Sequence, residues 1–349
     1  MLSASIPRSD SPESASGRPR LAVLPAIECA GLVLLLAAPA VLEDFGVVFA
    51  TRVVILSLLA LSFDLVWGYA GIMSFGQALF FGAGAYGVAL LGRDLGLAQA
   101  AATLPIAALL GGGLALLLAW FLLLGRRTPS VIFVSLGTLT GSYAAERLVN
   151  ASQYLGGRNG ISGVPVLLAG GFEFLEGPRF YYLALCVLAA VYLASRYAVR
   201  SQLGLVLAGV RDEERRLAFL GYRVPLFKAL IFAYAGLIAG LAGGLYAYHE
   251  GYAGPVSLGN QLSTLAVLYA LFGGTGTLAG AVIGTFVIET LSLHLSDLSA
   301  FYWPVVLGLL LLFVIVFKRT GLLGFVVPER ERVGRFGRVP RPGRAPRGA

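Results

Sequence analysis

Apolar runs of about twenty residues recur along the chain from residue 21 to residue 318, each long enough to cross the roughly 30 Å hydrocarbon layer of a bilayer as a helix. No water bonds the backbone inside that layer, so a spanning segment is either a helix or a strand of a closed barrel. Barrel strands read as short stretches of alternating polarity, and these runs do not alternate. Of the 349 residues 58% are hydrophobic and only 13% are charged, with a mean hydropathy of +0.83. An all-α, polytopic membrane protein is expected.

Ten apolar segments can be laid out, at about 21–42, 47–67, 71–92, 101–124, 130–149, 180–198, 227–249, 261–276, 278–296 and 301–318. Eight to ten transmembrane segments are expected, some of them broken or re-entrant. Basic residues set the direction. With both termini cytoplasmic, the inside segments hold 21 of the 26 Lys and Arg: Arg8, Arg18 and Arg20, Arg126 and Arg127, seven from Arg196 to Lys228, and nine from Lys318 to Arg347. Fusing 261–296 into one span would put the last two clusters on opposite sides, which disfavours it. "APA" at 38–40 resembles a signal-peptide cleavage site, but the run before it is long, contains Glu28 and follows a twenty-residue polar leader, so a retained span is expected.

This layout gives a cytoplasmic N-terminal tail (1–20), a transmembrane domain (21–324) whose longest cytoplasmic loop is 200–228, and a basic C-terminal tail (325–349). In the tail an Arg stands at every third position from Arg332 to Arg347, among Gly and Pro that forbid a stable α-helix. Membrane lipid headgroups are the candidate partner, and a disordered extension with no specific partner is the simpler reading. In a membrane protein the net charge of +8 speaks to topology, and no nucleic-acid partner is expected.

Several chemistries find no support. Cys29 and Cys186 lie in apolar runs without ligand spacing, so neither a disulfide framework nor a metal site is indicated. Lys228 and Lys318 are the only lysines, each preceded by Phe, so neither belongs to a GxxxxGK[ST] phosphate loop. Any ATP must be hydrolysed by another polypeptide. "HEGYA" at 249–253 begins like HExxH but has Ala where the second His ligand belongs. "GISG" at 160–163 matches a serine-protease GxSG, yet Ser162 reads as a loop residue, and neither His249 nor His294 has a supporting surround. No catalytic residue is expected.

Acidic residues fall within the spans at Glu28, Asp64, Glu146 and Glu289, where ionisable groups are costly and mark polar paths or internal pairs. Asp64 stands just before "GYAGIMSFGQALFFGAGAYG" (68–87), separated from it by Leu65, Val66 and Trp67, and that stretch puts six glycines among twenty residues. Glycines there allow backbones to approach closely and weaken the helix where Ser74 and Gln77 could satisfy freed backbone groups. "GGTGTLAG" at 273–280 is a comparable break about 200 residues later, as in transporters built from two related halves. Candidates for a translocation path are Asp64, Gly71, Ser74, Gln77, Gly274, Thr275 and Gly276, with tight helix packing as the bland alternative.

The 200–228 loop reads as a short amphipathic helix. Asp212 precedes Arg215 and Arg216 by three and four residues, Val210, Leu217 and Leu220 can share a face, and Gly221 followed by Pro225 is a stop. The six charges from Arg211 to Arg216 cancel, which favours a partner-protein groove over the bilayer surface.

Taken in order, "GYAGIMSFGQALFFGAGAY", "LGGRNGISGVP", "GVRDEERRLAFLG", "LIAGLAGGLYA" and "LFGGTGTLAGAVIG" resemble motifs of the LivM-type permeases of ABC importers for branched-chain amino acids, over residues 57–324. The resemblance implies an inner-membrane subunit of a prokaryote, working beside a second permease of the LivH type, two ATP-binding cassette subunits and an extracytoplasmic solute-binding protein. It also implies that the loop helix is the coupling helix, with Arg211, Asp212, Glu213, Glu214, Arg215, Leu220 and Gly221 at the ATPase contact. ATP would be used by the partner subunits, with no cofactor bound to this chain. Gln77 stands where the family usually has His, and Asp64 where it has Asn. Permeases of urea or short-chain amide importers, which look similar, are the alternative, and a secondary transporter is the more distant one.

Overall fold

A computed structural model describes residues 23–124, 131–298 and, further on, 305, 306, 308, 309, 312, 321 and 322. The expected tails 1–20 and 325–349, Arg126 and Arg127, and most of the segment 301–318 lie outside the described residues. The remaining expected segments form helices: α1 (Val23–Val41), α2 (Asp44–Asp64), α3 (Gln77–Leu95), α4 (Ala100–Leu123), α5 (Val131–Ala151), α6 (Pro178–Arg200), α8 (Val224–Glu250), α9 (Asn260–Gly273) and α10 (Leu278–Leu298). The 200–228 loop contributes α7 (Gln202–Phe219). Among the described residues, five helical stretches are long and apolar enough to cross a membrane: Asp44–Tyr69, Ala100–Leu123, Pro178–Arg200, Val224–Glu250 and Leu278–Leu295. The protein is a polytopic helical membrane protein.

Two segments are shorter than the sequence suggests. α3 begins at Gln77 instead of 71, because residues 70–76 are not helical. The 14 residues of α9 reach about 21 Å at 1.5 Å each, short of the hydrocarbon thickness, so 261–276 is a partial segment ending at a break. Local signals account for several boundaries. Pro178 sits in the first turn of α6 and Pro225 in that of α8, where a missing N–H costs nothing. Ser201 ends α6 and caps α7, its hydroxyl accepting the Leu203 N–H at 3.3 Å.

α8 is the packing hub for α3 and α4, and its glycines explain why. Gly236, Gly240 and Gly244 recur every four residues and so line one face, opposite Ala115, Gly111 and Ala107 of α4. Added side chains there would collide: a Cβ on Gly111 would stand 2.5 Å from the Gly236 carbonyl oxygen and 2.6 Å from Gly240 Cα. α3 joins the same cluster through Gly84, whose missing Cβ leaves room for the Gly240 carbonyl. α2 is buried from Ala50 to its end except at Arg52, and it packs against α6, α8, α9 and α10.

At one end of the bundle the loops form two short antiparallel ribbons. β1 (Ile161–Ser162) pairs with β4 (Tyr252–Ala253), with Ile161 opposite Ala253, and β2 (Leu167–Ala169) pairs with β3 (Phe172–Phe174). These place Ser162 in a strand and not in the loop expected for it. Beside them the Asp94 carboxylate accepts from Arg93 (2.7 Å) and from the Tyr154 hydroxyl (2.5 Å), while Arg93 lies over the Tyr154 ring and donates to its carbonyl. Arg93 and Tyr154 hold the Asp94 carboxyl below its ordinary range.

The α4–α8 contact gives a paired test on one helix. Gly111→Leu should destabilise the detergent-purified protein by about 3 kcal/mol through overpacking. Gly113→Leu, facing open space, should change stability by less than about 0.5 kcal/mol. Thermal unfolding midpoints of the two variants report the difference.

Candidate functional site

The first break begins where α2 widens into a π-helical turn, Leu65–Tyr69, and then stops. Gly71 turns the chain at φ +70°, a conformation that favours glycine, and its Cα hydrogens face Arg211 of α7, whose Cγ would lie 3.2 Å from an added Cβ. Ser74 is fully buried and its hydroxyl accepts the Gly76 N–H at 3.2 Å, the role expected of it. Gln77, also fully buried, does something else: its Oε1 accepts the Ser62 hydroxyl at 3.2 Å. Two partners that the sequence did not suggest complete the segment. Thr138 of α5 accepts the Phe75 N–H at 3.1 Å, and Ser263 of α9 accepts the Ala78 N–H at 3.0 Å.

The second break lies between α9 and α10. Gly274 (φ +119°) ends α9, and its carbonyl accepts the Thr277 hydroxyl at 2.6 Å. Gly276 (φ +78°) presents its N–H to Asp64 Oδ1 at 2.6 Å. Thr275 between them is half-buried. The two breaks therefore meet. A Cβ on Gly68 would lie 2.5 Å from Gly276 N, so only glycine permits this approach. Asp64 is wholly buried, and among the described residues its Oδ2 has no hydrogen-bond partner.

Arg211 closes the junction from outside. Its Nη1 donates to the Gly68 carbonyl at the end of the α2 helix, where the helix dipole favours a cation. Thus one ionisable side chain satisfies a freed N–H and another satisfies a freed C=O, and the second of them belongs to α7. Of the residues expected at a partner contact, Arg211, although exposed overall, is the one that bonds the first break.

The rest of α7 departs from a single amphipathic helix. Glu213 has non-helical angles (φ −149°, ψ 83°) and kinks it. Val210 is buried while Leu220 is 70% exposed, so the three apolar residues Val210, Leu217 and Leu220 do not share one face, the kink having rotated the second part. Leu217 turns back toward Gly209. Glu214 forms an ion pair with Lys228 of α8 at 2.7 Å, and Glu213 pairs with Arg216 at 3.1 Å. Gly221 (φ +87°) ends the helix as expected. Asp212 and Arg215 are exposed, as is Phe219, at 91%. Glu213, Glu214, Arg215 and Tyr222 line a half-open cleft of about 540 Å³ with Ala218 and Pro225.

Other ionisable groups have structural settings. Glu28 pairs with Arg196 and accepts the Tyr192 hydroxyl at 2.7 Å, tying α1 to α6. His249 is buried against the Phe180 ring, and Ser162 is exposed opposite Tyr252. Among the described residues no group of three His, Cys, Asp or Glu could hold a metal ion.

A family model described as the permease component of branched-chain amino acid transport systems matches residues 47–315. The chain is 27% identical to the high-affinity branched-chain amino acid transport system permease protein LivM of Escherichia coli (strain K12), across 85% of this chain and 74% of that protein. It is equally similar to the Salmonella typhimurium protein of the same name. It is 30% identical to the autoinducer 2 import system permease protein LsrC of Yersinia pestis, across 61% of this chain and 60% of that one. No solved structure matches.

Removing the acceptor at the junction should leave the Gly276 N–H buried and unpaired, so Asp64→Ala is expected to cost about 1–3 kcal/mol. Asp64→Asn keeps an acceptor oxygen and should cost less. Equal loss in both variants, measured by thermal unfolding in detergent, would show that the carboxylate matters for something other than this hydrogen bond.

Proposed function

The chain belongs to the family of branched-chain amino acid transport system permease components, and on that premise we propose that it forms part of the path by which an ABC importer takes up hydrophobic amino acids. It works in the inner membrane of a prokaryote, with eight to ten membrane segments, some of them broken or re-entrant, and both termini cytoplasmic. Its partners are a second permease of the LivH type, two ATP-binding cassette subunits that hold and hydrolyse ATP, and an extracytoplasmic binding protein. This chain carries no cofactor of its own.

The observation that supports this reading best is the bond from Arg211 to the Gly68 carbonyl. Through it, α7 is attached to the point where both broken segments meet, so displacement of α7 is felt at the junction and not only at the membrane surface. ATP-driven closure of the ATPase subunits moves α7, Arg211 carries the movement to Gly68, and the Asp64–Gly276 bond passes it to α10. Asp212, Glu213, Glu214, Arg215, Leu220 and Gly221 lie on the outer part of the loop and form the ATPase contact, with Phe219 exposed among them. Asp64, Gly71, Ser74, Gln77, Gly274, Thr275 and Gly276 border the moving part of the path. The LsrC relative, an autoinducer 2 import permease by name, is a reminder that similar permeases serve other solutes. Urea or a short-chain amide is the alternative cargo, and a gradient-driven transporter the alternative class.

In proteoliposomes holding the complete complex, labelled leucine should accumulate with ATP and not with a proton or sodium gradient alone; gradient-driven uptake would contradict the reading. Phe219→Asp should reduce co-purification of the ATPase subunits with the membrane fold intact. Arg211→Ala should keep the ATPase subunits bound and hydrolysing but lower uptake about tenfold, within the usual range of coupling between sites. Uptake unchanged by Arg211→Ala would mean that this bond transmits nothing.

A further inference from the structure

The junction of the two breaks holds a carboxylate and a guanidinium that do not pair. Asp64 is wholly buried, its Oδ1 accepts the Gly276 N–H at 2.6 Å, and among the described residues its Oδ2 has no partner. An ionised oxygen closed off from water is costly unless something pairs with it. Arg211 is close at hand, yet its Nη1 donates to the neutral carbonyl of Gly68. Among the described residues Asp64 and Arg211 form no ion pair, whereas Glu213 and Glu214 of the same helix as Arg211 are taken by Arg216 and Lys228.

Two glycines lie between the unpaired groups. A Cβ on Gly68 would overlap Asp64 Oδ1, and a Cβ on Gly276 would lie 3.3 Å from Arg211 Nη1. Asp64 bonds Gly276 and Arg211 bonds Gly68, so both ionised side chains border the same two residues. The second break is also held from the C-terminal segment: the Leu322 N–H donates to the Phe272 carbonyl at 2.8 Å, and Gly321 (φ +65°) packs directly on Gly274. Asp64 is fixed within the buried stretch of α2. Arg211 is the freer partner. It is exposed overall, its Cα would lie 3.4 Å from a Cβ on Gly71, and α7 kinks two residues further on, at Glu213.

We propose that Asp64 and Arg211 are the two halves of an ion pair that stands open in this structure and closes in the other state of the transport cycle. On closing, Arg211 leaves the Gly68 carbonyl and donates to Asp64 Oδ2, while Oδ1 keeps the Gly276 N–H. A guanidinium carries five N–H donors and a carboxylate accepts at both oxygens, so the exchange needs no further group. The charge-assisted bond gained at Oδ2 is stronger than a bond to a neutral acceptor and offsets the one given up at Gly68. The Gly68 carbonyl is released in the same step, which uncouples the end of the first helix from α7. This assignment rests on the importer reading above. It makes Asp64 a positioning residue for transport, acting through Arg211, in addition to its bond to Gly276.

The test uses the complete complex, first as wild type. Structures free of nucleotide and trapped with ADP and vanadate should differ at this point, Arg211 bonding Gly68 in one and Asp64 Oδ2 in the other. The Gly68 bond kept in both states overturns the pair. Leucine uptake in proteoliposomes with the binding protein gives an independent reading. Asp64→Asn keeps an acceptor for Gly276 without the charge and should lower uptake about tenfold, as should Arg211→Gln, and the double variant should lose no more than about tenfold because all three lack the same pair. Separate structural roles would multiply to a loss of about a hundredfold in the double variant, which overturns the pair. Wild-type uptake by Asp64→Asn overturns it as well and leaves the importer reading standing. Should a variant fail to assemble, the two wild-type structures decide. A wild-type complex without ATP-dependent uptake overturns the importer reading and the pair with it.

Discussion

A backbone group freed inside a lipid bilayer has no water to bond, and the architecture of this protein is organised around that penalty. Two helices are interrupted at depth, at residues 70–76 and 274–277, and each interruption releases N–H and C=O groups. The interruptions are placed against each other, so that Asp64 serves Gly276 and Arg211 serves Gly68. Ser74, Thr138, Ser263 and Thr277 take up further groups nearby. Breaks of this kind cost stability in a static scaffold. In transporters, discontinuous helices of this kind are found near substrate and ion sites.

Closely packed helices stand beside the two breaks. The α4–α8 contact is built on small residues meeting face to face, which brings backbones close and leaves little freedom for sliding. α2 is buried from Ala50 to its end except at Arg52, and it ends at the junction. α7 is bonded through Arg211 to one defined point, the Gly68 carbonyl beyond the end of α2, next to this firmly packed body.

Much of this was legible in the sequence. Helix positions followed from apolar runs, and the stops at Gly221 and Pro225 from local turn chemistry. Asp64 and the two glycine-rich stretches stood out because charge and glycine are both expensive inside an apolar span. Their pairing was not legible: Gly276 lies 212 residues from Asp64, and Arg211 lies 143 from Gly68, so no local pattern connects them. Arg211 read as one charge of a neutral surface loop, and its bond to Gly68 depends on where the end of the first break stands. The kink at Glu213 left no periodic signal, since a helix of mixed charge looks the same whether continuous or bent.

What the sequence determined alone was the medium and the secondary structure, because hydrophobicity and backbone satisfaction act locally along a chain in a bilayer. It also determined where that structure would fail, since glycine lowers helix stability wherever it stands. Tertiary structure decided which failures meet, which charges are left to complete them, and which side of each helix is closed. Those outcomes depend on the relative placement of helices, and in lipid, where apolar side chains gain little by leaving the solvent, that placement is set by close packing of small residues and by a few long-range hydrogen bonds.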